Sequence, residues 1–252
     1  MHFLLQTSTA RKVPAALPSR DPPGWIPIGR LPCPPLDKGV LDACQDFVKA
    51  PIAAHDGVGW LHTKSRPKGA IMERQHVDPF EHANTITQAN PGGILLTTKA
   101  GSEVNTMVIG WGLIGTLWGK PTFTAFVRTS RHTHALLEKN PEFTVNVPLE
   151  GERLNRDIFA VAGTKSGRSV DKVAELGLTL VDGSTVDVPA IAEVPLTLEC
   201  KVMYQQLMDK GSVPEDIQGR FYPADVTDID KGGNCYYHVI YYGEIVDSYI
   251  VR

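Results

Sequence analysis

The segment Phe126-Val127-Arg128-Thr129-Ser130-Arg131-His132-Thr133 holds the densest chemistry in the sequence. Arg128 and Arg131 are guanidinium forks of the kind that grips phosphate oxygens. Thr129, Ser130 and Thr133 add hydroxyl donors. A strand pattern ends here and a helix pattern starts at Ser130, so the free N–H groups of a first helical turn would add to an anion site. The same residues also read as a plain helix cap flanked by two solvated arginines, and composition leaves both readings open. Gly163-Thr164-Lys165-Ser166-Gly167-Arg168 resembles a second phosphate loop but lacks the G-x-x-x-x-G-K-[ST] spacing.

Other chemistries find less support. Gly110-Trp111-Gly112-Leu113-Ile114-Gly115 matches G-x-G-x-x-G after a predicted strand. A dinucleotide site needs a helix to follow, and Thr116 to Pro121 puts Gly119 and Pro121 where that helix would run. A glycine-rich loop at a barrel corner is the better expectation. The eight histidines form no H-E-x-x-H pattern, and His132 and His134 stand two apart, on different sides of a helix. Ser130 has no G-x-S-x-G elbow. Cys33, Cys44, Cys200 and Cys235 show no C-x-x-C spacing, so neither a zinc framework nor a disulfide scaffold follows; reduced thiols in a cytoplasmic protein are expected.

The elements that must position these residues are mostly strands. Asp78-Pro79-Phe80-Glu81 predicts a capped helix that ends at Asn90-Pro91-Gly92-Gly93. Runs rich in β-branched and aromatic residues predict strands over 94–98, 104–111, 122–127, 143–147, 196–204 and 235–251. Helices are predicted over 130–139 and 170–176, the second ending at Gly177. This order fits a mainly β, antiparallel barrel with a few flanking helices better than alternating βαβ units.

The chain has 252 residues and a formal charge of −3, which gives a nucleic-acid role no electrostatic footprint. No run reaches the ~20 apolar residues of a spanning helix. Phe3-Leu4-Leu5 is too short an apolar run for a secretory signal. Residues 1–71 hold ten of the 19 prolines and a net charge of 9 − 5 = +4, against 16 − 23 = −7 for the remainder. They read as a proline-rich, partly ordered arm or as a segment foreign to the native protein, in which case Met72 would be the start of translation; the domain is expected at 72–252.

Five blocks in order resemble the flavin reductase-like, flavoredoxin-type family of FMN-binding split barrels. They are Gly93–Lys99 with Val104–Met107 and Ile109–Gly112; Arg128–Thr133 with Phe143–Pro148; Gly163–Arg168 with Val170–Lys172; Pro195–Lys201; and His238–Val246. The resemblance spans about residues 75–252 and leaves the arm uncovered. It implies a Greek-key, antiparallel split barrel that pairs as a homodimer, with one FMN per subunit. It implies that Asn105, Thr106 and Met107 line the flavin edge, and that Arg128, Ser130, Arg131 and Thr133 take the phosphate. Lys165, Ser166 and Arg168 would sit in a loop beside the cofactor, and Trp111 would follow the flavin-contacting strand. His134 stands where many relatives carry an aromatic, and His238 falls near the barrel mouth by analogy.

The implied activity is hydride transfer from NADH or NADPH to flavin N5, as in an NAD(P)H-dependent flavin reductase. The alternative is an FMN electron carrier reduced by a protein partner and lacking a nicotinamide site. Either way the flavin supplies the redox chemistry, and no catalytic side chain is required of the protein.

Overall fold

The computed structural model describes residues 72–228 and 233–252. The expectation for the arm, residues 1–71, lies outside them.

Among the described residues, ten strands and five α-helices follow in order: β1 (Arg74–His76), α1 (Ala83–Ala89), β2 (Ile94–Ala100), β3 (Glu103–Ile109), β4 (Gly112–Leu117), β5 (Lys120–Arg128), α2 (His132–Leu137) and β6 (Glu142–Val147). Then come α3 (Arg156–Thr164), α4 (Lys172–Leu176), β7 (Leu180–Val181), β8 (Ala190–Ile191), β9 (Leu196–Leu207), α5 (Glu215–Phe221) and β10 (His238–Val251). Eight strands form one sheet in the order β3-β2-β6-β9-β10-β5-β4, with β1 added to β10. Every pairing in it is antiparallel. The predicted mainly β, split-barrel class is the observed one.

Period-two alternation explains the core. Phe123, Ala125 and Val127 of β5, Phe143, Val145 and Val147 of β6, and Leu196, Leu198 and Cys200 of β9 are buried in one cluster. Met107 and Ile109 from one end strand share that cluster, and Ile114 from the opposite end strand packs against it. The sheet therefore coils around a single interior, while its end strands β3 and β4 are not paired with each other.

β2 is buried on both faces. Ile94 and Leu96 point into the barrel, while Leu95 packs outward on Ile158 and Ala162 of α3. This outer cluster holds α3 and α4 against β2 and β3. It thereby delivers the turn after α3, residues 165–170, to the same end of the barrel as α2.

Local differences from the sequence reading have plain causes. The first helix begins at Ala83, because the Asp78 carboxylate accepts from the Phe80 N–H at 2.8 Å in a turn ahead of it. The expected glycine-rich loop over 110–115 is the start of edge strand β4. A Cβ on Gly112 would lie 2.5 Å from the Phe123 ring, so only glycine lets β4 approach the core there. α3 and α5 were not foreseen.

Candidate functional site

A cleft opens where β3, the β5–α2 junction, the turn after α3 and the start of β10 converge. It encloses about 210 Å³ and is open to solvent. Ten of the eleven residues singled out from sequence line it: Asn105, Met107, Trp111, Arg128, Ser130, Arg131, Thr133, Lys165, Ser166 and Arg168. Thr106 is the exception. Its side chain bonds Thr97 at 3.1 Å inside the sheet, and only its carbonyl serves the site, through Lys172.

The charge pattern is one-sided. Arg128, Arg131, Lys165, Arg168 and Lys172 line the cleft, and no carboxylate does among the described residues. In a chain of net charge −3 the lining of this cleft is thus positively biased.

The two guanidinium groups play different parts. Arg128 donates to the carbonyls of Asn234 and Tyr236, both at 2.8 Å, and of Phe221 at 2.7 Å, and it lies over the Tyr222 ring. Of the two guanidinium groups that the sequence assigned to the phosphate, Arg128 already has protein acceptors. Arg128 is committed to holding the segment before β10. Arg131 makes no side-chain hydrogen bond or ion pair among the described residues, although burial lowers its pKa from the ordinary arginine value. It is a partly desolvated cation without an ion-pair partner among the described residues.

Ser130 does not cap α2. The capping position is Arg131, in extended conformation, and the Ser130 hydroxyl donates instead to the Gly233 carbonyl at 3.3 Å. α2 is also shorter than expected, six residues from His132. No backbone carbonyl among the described residues accepts from the N–H of His132 or Thr133. The Thr133 hydroxyl accepts from Asn105 Nδ2 at 2.8 Å, which leaves it free to donate.

The turn after α3 closes tightly on this junction. Arg168 Nη1 donates to the Ser130 carbonyl at 2.8 Å, and its backbone N–H donates to the Ser166 hydroxyl at 3.3 Å. Lys165 is paired with Glu175. A Cβ on Gly167 would fall 2.0 Å from Asn105 Oδ1, so β3 and the turn meet with no room for a side chain.

Lys172 escaped the sequence reading. A lysine directly after a capping Asp171 looks like a solvated first-turn residue, and only its packing against β3 reveals otherwise. It is almost fully buried, with Nζ donating to the carbonyls of Thr106 at 3.0 Å and Ala162 at 3.3 Å. Burial, then the nearby Arg131 charge, lowers its pKa to about 8. His238, placed by analogy alone, also lines the cleft. Its Nδ1 lies 2.7 Å from the Tyr222 hydroxyl, and its ring packs on Trp111 at 4.8 Å. Burial, then Arg128 and Arg131, push its pKa down to about 3, so it is neutral at physiological pH. His134 does not line the cleft; it bonds the Tyr241 hydroxyl at 2.6 Å. Among the described residues no group of His, Cys, Asp and Glu is placed to hold a metal, and no helix is long and apolar enough to cross a membrane.

The family model described as "Flavin reductase like domain" matches residues 89–252, more than half of the chain. An uncharacterized protein of Archaeoglobus fulgidus is 32% identical over 123 residues, which are 49% of this chain and 67% of that one. Among solved structures, an FMN-binding domain of a flavin reductases-like enzyme from Shewanella baltica is 15% identical. It covers 71% of this chain and 78% of its own, at a TM-score of 0.47. Flavoredoxin of Desulfovibrio vulgaris is 24% identical, covering 63% of this chain and 68% of its own, at a TM-score of 0.45.

Proposed function

The chain belongs to the flavin reductase-like domain family, and from that premise we propose that it is an FMN-dependent oxidoreductase that draws hydride from NADH or NADPH. The observation that carries the reading is the unpaired Arg131 in a cleft lined by five cations and no carboxylate. A phosphate dianion would supply the missing counter-charge. The residues fit FMN in kind: guanidinium and ammonium donors, the Thr133 hydroxyl, the free N–H groups of His132 and Thr133, and an aromatic, Trp111, at the far wall.

FMN, when bound, supplies the hydride and electron chemistry. The chain's own work is to hold and bias. Arg131 and Arg168 grip the anionic end. Lys172, fixed by two carbonyls, adds positive potential near the Asn105–Met107 strand, where it favours negative charge. Neutral His238 and Trp111 pack against each other as one wall of the cleft.

The enclosed volume of about 210 Å³ is below the ~300–1,000 Å³ typical of ligand pockets. A single chain thus wraps only one end of such a ligand. A homodimer completes the site in this reading. Its face would be the outer side of β4, β5, β10 and β9, where Leu113, Thr124, Tyr242 and Tyr204 are in register and Trp118 packs edge-on to Tyr204. Leu113 is 62% and Trp118 68% exposed there, an apolar face that a second copy would cover. The free thiols Cys200 and Cys235 suit the cytoplasm.

The test is an absorption spectrum of the purified protein with FMN, before and after anaerobic NADH or NADPH. A bound yellow flavin that bleaches with either nucleotide supports the reading. A bound flavin that stays oxidised under saturating nucleotide, yet bleaches with a reductase protein, establishes the electron-carrier alternative instead.

A further inference from the structure

A second hollow of about 580 Å³, more open to solvent than the cleft, lies between the end of β9, the 208–214 turn, α5 and β10. Its size is within the ~300–1,000 Å³ range of small-molecule sites. Its chemistry is the opposite of the cleft's. Phe221, Tyr222 and Trp111 make one wall, and Val213, Ile217 and Ile240 belong to its apolar lining. Asp209 is the sole charged residue in that lining, and its carboxylate already accepts from the Gly211 N–H at 3.0 Å and the Ser212 hydroxyl at 2.6 Å. An anion would find no partner there and would lose its hydration, and the one carboxylate is exposed and already held within its own turn.

The two cavities share Trp111. Its ring meets Phe221 edge-on at 5.1 Å on one side and His238 at 4.8 Å on the other. Tyr222 ties the walls together, because its hydroxyl reaches His238 Nδ1 while its ring stacks on Tyr237 at 4.1 Å. The aromatic wall is thus braced from behind by a hydrogen bond and a ring stack. A preformed apolar hollow, one indole away from a cationic cleft, is suited to a flat, uncharged molecule rather than to a peptide that would need backbone partners.

We propose that this cavity binds an uncharged, ring-bearing organic molecule, as the pocket of a second substrate beside the cationic cleft. Binding there stands on the cavity's own chemistry; its use in turnover rests on the flavin reading above.

The experiment uses the full chain and the neutral dye N-phenyl-1-naphthylamine, whose emission rises in apolar surroundings, alongside a separate FMN titration. Saturable binding of one dye per chain is expected, unchanged by excess FMN. Ile217→Lys puts an ammonium into the cavity and should weaken the dye by about tenfold or more, with FMN affinity held within about twofold. Should Ile217→Lys not fold, Val213→Lys, which puts an ammonium into the hollow from the 208–214 turn, carries the same expectation. Dye affinity equal to wild type in a folded variant overturns the proposal. So does displacement of the dye by FMN, which would place it in the cleft, and so does dye binding that vanishes on dilution to monomer. Dye binding without FMN binding would defeat the flavin reading and leave this pocket standing.

Discussion

At the scale of single residues, the two arginines separate by experiment. Arg131→Met removes an unpaired cation from the cleft and should weaken FMN about ten- to a hundredfold while changing riboflavin, which lacks the phosphate, about twofold at most. Parallel titrations check it, and equal losses for both ligands would defeat the phosphate assignment. Arg128→Ala acts differently, because it strips three carbonyls of a charged donor. It should cost about 2 kcal/mol or more of stability, seen as a lower melting temperature, and should weaken both ligands alike. Lys172 sets a pH dependence. It is charged in the free protein below about pH 8 and neutral above. Anion affinity should therefore fall as pH rises through that value, and Lys172→Met should flatten the profile. The unfolded chain keeps this proton up to about 10.5, so unfolding takes up protons between the two values and stability rises with pH across that window. An FMN affinity that is level from about pH 7 to about pH 9 would count against a role for Lys172.

At the scale of elements, the turn after α3 and strand β3 act as one unit. Gly167→Ala would drive a methyl into Asn105 and force the turn off the cleft. The expected outcome is a roughly tenfold loss of FMN affinity with an unchanged circular dichroism spectrum; unaltered affinity would mean that the turn does not close the site. What the sequence revealed about these elements depended on how local the determinant was. Strands β5, β6 and β9 are legible because alternation and β-branched residues repeat within a few positions. β4 was hidden by Gly110, Gly112 and Gly115, whose spacing suits a loop until Phe123 is placed beneath Gly112. Arg131 could be picked out because its helix junction is contiguous in sequence. The commitment of Arg128 could not, since its acceptors lie about a hundred positions later, on Phe221, Asn234 and Tyr236. Lys172 was missed for the same reason: its burial is created by Thr106 and Ala162, which sequence proximity does not bring together.

At the scale of the whole molecule, assembly and charge are the open variables. If the outer face of β4, β5, β10 and β9 joins two copies, Leu113→Glu should shift the protein from dimer to monomer in light scattering and weaken FMN in parallel. A dimer that persists in this variant would move the interface elsewhere. The clustering of positive side chains has a further consequence for an unliganded molecule. Arg128, Arg131, Arg168 and Lys172 line one cleft with no ion-pair partner among the described residues, and their mutual repulsion is relieved by whatever multivalent anion the solution contains. Sulfate or inorganic phosphate in a purification buffer would then brace the cleft against heat and, by the same act, compete the flavin away, so that how yellow a preparation looks reflects its salt history as much as its intrinsic affinity.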